Sequence, residues 1–141
     1  MEAASTLSTL STPATPTGAA PWMLWTGRVL TALPILAMLA GSVAKLLHAS
    51  PVLALWTPKF GYPESQLTTI GVIELLCVVL YAIPRTSVLG AILLTAYLGG
   101  AIATHVRVSD VFVGPLMYAI FIWAGLFLRD PRIRALLPLR S

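Results

Sequence analysis

Charge is what this chain has least of. Only 10% of its 141 residues are charged, nine basic and five acidic. A soluble domain carries roughly 25%, so the chain cannot cover a water-facing globular surface. A single cysteine, Cys77, excludes a disulfide scaffold and an intramolecular thiol–disulfide cycle. The ten glycines follow no triplet period, which excludes collagen. Close metal-ligand spacings such as His-x3-His or Cys-x2-Cys are missing, so no metal site is expected. The chain also shows no pattern for haem, flavin or iron–sulfur attachment.

What is present is apolar. Hydrophobic residues make up 57% and mean hydropathy is +0.88. That excludes disorder of the whole chain and predicts an integral membrane protein embedded in a lipid bilayer. Residues 1–21 differ: they are rich in Ser, Thr, Ala and Pro, with Glu2 as their one charge. They bury too little apolar surface to offset ordering and are expected to form a disordered tail. With neither a basic start nor an apolar stretch before a small-residue cleavage site, this head does not read as a secretory signal.

Residues 22–137 predict an all-α membrane domain, a four-transmembrane-helix antiparallel bundle. Its spans run over about 24–47, 66–83, 86–105 and 111–128, each near the length a 30 Å hydrocarbon layer needs. Pro84 and Arg85 leave room only for a tight hairpin between spans 2 and 3. Ser109 or Asp110 is the expected cap of span 4. Between spans 1 and 2, Ser50-Pro51 predicts a short interfacial helix to about Trp56, with Trp56 and Tyr62 at the membrane–water boundary. Asp130-Pro131 opens a second one in the basic segment 130–141.

Four spans put both termini on one side. Arg28, Arg85, Arg129, Arg132, Arg134 and Arg140 gather there, against Lys45, Lys59 and Arg107 opposite. The positive-inside rule then predicts that both termini are cytoplasmic. The arginines form no groove-like cluster, so nucleic acid is not an expected partner.

One residue defies this topology. Glu74 lies eight residues into span 2, about 12 Å below the boundary at 1.5 Å per residue. A carboxylate there must be protonated, paired or wetted. Lys45 and His105 approach from the same side, and Tyr97 lies at similar depth. Tyr97, Ala101 and His105 share one helix face, with Thr104 beside them. Lys45, Glu74, Tyr97, Thr104 and His105 are thus expected to meet in the outer half of the bundle, with Arg107 and Trp56 at the mouth. Glu74 is the candidate catalytic residue and the others candidate ligand residues. The plainer alternatives are a pair with Lys45 or His105 that fixes helix register, or a lipid-facing Glu74. On the far side of span 3, Ala91, Thr95, Gly99 and Ala103 form a small-residue stripe suited to close packing, either within the chain or in a homo-oligomer.

The runs Gly61-Tyr62-Pro63, Gly71-Val72-Ile73-Glu74-Leu75-Leu76, Ile83-Pro84-Arg85-Thr86, Tyr97-Leu98-Gly99-Gly100-Ala101 with Thr104-His105-Val106-Arg107, and Leu128-Arg129-Asp130-Pro131 resemble the DoxX-like family of small bacterial membrane proteins. The resemblance covers residues 24–137 and implies a four-helix membrane bundle. The wider DoxX/DoxD group includes a subunit of a membrane thiosulfate:quinone oxidoreductase, so the resemblance implies a redox-associated or accessory subunit with a membrane redox partner. It gives weight to Lys45, Glu74, Tyr97, Thr104 and His105 without assigning them a reaction. A quinone or another apolar small molecule is the implied class of ligand, docked in an apolar pocket with few polar groups. Two other readings compete: a membrane enzyme or carrier using Glu74 as general acid/base, and a structural protein that oligomerises.

Overall fold

A computed structural model describes residues 20–136. The expected disordered tail falls almost wholly on residues 1–19, outside the described residues, as do residues 137–141 of the basic C-terminal segment. The described residues form helices and no strand: α1 (Pro21–Leu46), α2 (Ser50–Phe60), α3 (Ser65–Ala82), α4 (Ser87–Arg107), α5 (Val113–Arg129) and α6 (Pro131–Leu136). Helices α1, α3 and α4 are long and apolar enough to cross a membrane. At 17 residues, α5 is apolar but shorter. Large side chains such as Leu36, Leu76, Leu89 and Ile92 face outward, an arrangement that suits lipid rather than water.

Two boundaries differ from expectation. The link helix does not stop at Trp56. It continues through Pro58 to Phe60, because Pro58 removes only one backbone donor, and it ends at Gly61, whose φ of 70° permits the left-handed turn. The Gly61 amide closes on the Thr57 carbonyl and that of Tyr62 on Trp56. Ser50 lies inside the helix, and Ala49 holds the capping position without a side-chain bond. The fourth apolar helix starts at Val113, and neither Ser109 nor Asp110 caps it. Ser109 takes a φ of 54° in the preceding turn, and the Asp110 carboxylate is committed to other partners. At α6 the expected cap forms: Asp130 Oδ1 accepts the Arg132 amide at 2.9 Å.

Helix α1 packs on α3 and α5, α4 packs on the same two, and α6 rests on α5. The densest packing lies toward the α3–α4 hairpin, where Tyr81, Val78, Ala91, Leu94, Ile122 and Leu126 are buried together. Lipid supplies no hydrophobic drive between helices, so association relies on close contact and internal hydrogen bonds. Both are present. A Cβ on Gly90 would collide with the backbone of Leu80 and Tyr81. One on Gly125 would lie 2.6 Å from Thr31 Oγ1. The Tyr81 hydroxyl donates to the Ile122 carbonyl at 2.9 Å and lies 3.4 Å from Thr31 Oγ1, which itself donates to Gly27. One phenol therefore ties α3 to α1 and α5.

The small-residue stripe of α4 is divided between two uses. Ala91 is spent in the chain's own core. Thr95 Oγ1 accepts the Trp123 indole N–H at 2.9 Å, which joins it to α5. Gly99 and Ala103 face outward.

Gly90→Ala is expected to lower stability by about 1–3 kcal/mol, because the obstructing atoms are backbone and cannot turn aside. Gly99→Ala, with no neighbour within 4 Å, should leave stability unchanged or slightly raised. Thermal unfolding of both variants in the same detergent makes the comparison.

Candidate functional site

Away from the hairpin, residues of α1 to α5 line a partly open cavity of about 710 Å³. Most of its wall is apolar, including Met38, Ile70, Ile73 and Leu98. Helix α2 crosses it as a roof through Val52, Leu55, Trp56 and Phe60. Lys45, Glu74, Tyr97, Thr104, His105 and Trp56 all line it. Arg107 does not.

The charged pair in the wall follows from helix periodicity. Gly71 and Glu74, three apart on α3, face α1, as Gly41 and Lys45, four apart on α1, face α3. A Cβ on Gly71 would lie 3.1 Å from the Lys45 Cβ, so the two helices nearly touch there. Lys45 Nζ meets Glu74 Oε2 at 2.8 Å, and their side chains are 17% and 6% exposed. Nζ also reaches the Gly41 carbonyl at 3.4 Å. Between Lys45 and His105 as partners for Glu74, the geometry thus selects Lys45. Gly41 lacks the side chain that would fill the space beside the other carboxylate oxygen: its Cβ would lie 3.6 Å from Oε1. Tyr97 stands next to the same carboxylate. Such a pair is net neutral and costly to break, because either partner alone is a buried uncompensated charge.

His105 has a different partner. Its Nδ1 lies 2.9 Å from Asp110 Oδ2, and that oxygen lies 2.8 Å from Lys59 Nζ. Phe60 meets the imidazole edge-on at 5.1 Å. The Lys59 hydrogen bond, the Val111 amide and His105 hold the Asp110 carboxyl down at about 2. Asp110 lies five positions after His105, and the Ser109 turn folds the second back to the first.

Thr104 donates to the Gly100 carbonyl at 2.9 Å, so in its 3.0 Å bond with Tyr62 the phenol is the donor. Arg107 donates to the Phe60 carbonyl and lies over the Tyr62 ring at 5.5 Å. It fastens the roof instead of lining the mouth. Trp56 is buried against the cavity, and its indole N–H donates to the Pro63 carbonyl at 3.2 Å inside the link. Lys59, Phe60, Tyr62, Asp110 and Tyr118 join the site unforeseen by sequence reasoning, which had used Lys59 only as a topology charge and Asp110 only as a cap. The one available signal was the His105–Asp110 spacing across a short turn. Among the described residues, no three His, Cys, Asp or Glu side chains converge as metal ligands.

A carboxyl held below its usual value of 3.8 stabilises its contacts at any pH above that value, and the contribution disappears as pH falls through about 2. The contribution of Asp110 to the roof's attachment is therefore expected to be lost between about pH 4 and 2. Trp56 emission, taken as the difference between the protein and its Trp56→Phe variant, should follow this, and Asp110→Asn should remove the Asp110-dependent acid transition.

Neither a curated protein nor a solved structure matches the chain. Residues 29–127 match the family model described as the DoxX-like family. That stretch runs from within α1 to within α5 and contains every element that lines the cavity. The chain belongs to the DoxX-like family.

Proposed function

We propose that this DoxX-like membrane protein binds a small amphiphilic molecule in the bundle cavity, as a redox-associated or accessory subunit. The observation that carries the reading is an apolar chamber of about 710 Å³ whose charged pair, Lys45–Glu74, is net neutral. The volume lies within the range of small-molecule sites, roughly 300–1,000 Å³, and the wall combines an apolar lining with a few convergent polar groups. A neutral pair disfavours a charged head. It suits a carbonyl or hydroxyl that hydrogen-bonds Lys45, Glu74 Oε1 or Tyr97, as a quinone or quinol ring does. Glu74 is the group that accepts or returns a proton, while Asp110 orients His105 at the cavity edge. Electrons, where redox chemistry takes place, come from a membrane partner. In this reading four spans, α5 included, cross the bacterial inner membrane with both termini cytoplasmic.

Replacing both partners tests this without leaving a bare charge. Lys45→Met with Glu74→Leu should fold, because apolar groups of similar size replace a buried pair at little cost. It should bind a short-tailed benzoquinone about 10- to 100-fold more weakly, the loss expected for one or two hydrogen bonds to charged groups. Native mass spectrometry from lipid nanodiscs should show a co-purifying small molecule on the protein and less of it on the double variant. A folded double variant that retains both the benzoquinone affinity and the co-purifying molecule overturns the reading.

A further inference from the structure

We infer that α2 is a hinged strap over the cavity, latched to the end of α4, and that the latch controls access to the site. This regulation rests on the cavity being a binding site. Helix α2 packs closely on no other helix, although it forms the roof. Its N-terminal end follows a turn in which His48 takes a φ of 49°, a conformation unusual for a residue with a side chain. Its other end is held by side chains.

Five contacts make that latch, all between residues 59–62 and residues 104–110. Lys59 pairs with Asp110. Arg107 donates to the Phe60 carbonyl and covers the Tyr62 ring. Tyr62 donates to Thr104. Phe60 lies edge-on to His105, which Asp110 holds in place. The hinge is thus backbone while the latch is polar and rim-exposed, with the Lys59 side chain 41% exposed. Such an attachment releases at modest cost and is screened by salt. Asp110 joins Lys59 of the strap to His105 of the cavity wall, so one carboxylate couples roof to wall. Lifting residues 59–62 moves Phe60 and Tyr62 off the cavity and leaves the Lys45–Glu74 pair on α1 and α3 in place.

Access can be measured without any ligand. In a Cys77→Ala background, Ala101→Cys puts a thiol in the cavity wall and Gln66→Cys an exposed reference thiol. Both are labelled with N-ethylmaleimide in nanodiscs. Asp110→Asn, and separately Lys59→Met, should speed labelling at position 101 roughly two- to fivefold, as loss of one screened ion pair allows, and leave position 66 unchanged. Raising salt from 0.05 to 1 M should speed position 101 with the intact latch and have no further effect in Asp110→Asn. Equal rates at position 101 in both latch variants and at both salt concentrations overturn the gate, whatever the cavity binds. Faster labelling combined with no co-purifying molecule retains the gate and counts against the binding reading alone.

Discussion

A polar group in an apolar surround must find its partner within the protein. The Lys45–Glu74 pair is where this constraint weighs most. It brings α1 and α3 close together at Gly71 and turns Lys45 inward from the last turn of α1. The same rule acts at the other end of the molecule. There the Tyr81 hydroxyl is satisfied by α5 and lies beside Thr31 of α1. Two polar ties, one per end, thus set the relative register of the helices.

Between these ties the packing is uneven. Near the hairpin, glycines allow backbone contact and large side chains fill the remaining space. Beyond Met38 and Leu98, α1 and α3 stay in contact at Gly71, a chamber opens beside them, and its roof comes from the short helix α2. The bundle alone would leave Glu74 open to whatever lies above it. With α2 in place, a nearly buried charge pair faces a space that is largely apolar.

Much of this was legible in the sequence, and for definable reasons. Long apolar runs separated by Pro, Gly and charge locate α1, α3, α4 and α5 to within a few residues, because hydropathy and helix rise leave little choice. Glu74 stands out because an acid at that depth is expensive, and periodicity brings Tyr97 and His105 to one face. Two kinds of information are not carried by a single helix. Close approaches such as Gly27 and Thr31 against Gly125 require knowing which helices are neighbours; the Ala91–Ala103 stripe of α4 is visible in the sequence, while Gly90 beside it and Gly125 of α5 hold the tightest contacts. The latch also depends on tertiary placement: Lys59 and Asp110 are 51 positions apart and meet only because α2 passes Trp56 and the Ser109 turn folds back.

The division of the molecule into a dense end and a hollow end has a consequence for its descent. Side chains that hold the fold together, around Tyr81, Gly90 and Gly125, are largely separate from those that face the chamber. Substitutions at Ile70, Ile73 or Ala96 alter the shape of the chamber with little effect on the frame. A fold arranged in this way can reshape its chamber by small steps while its frame remains standing.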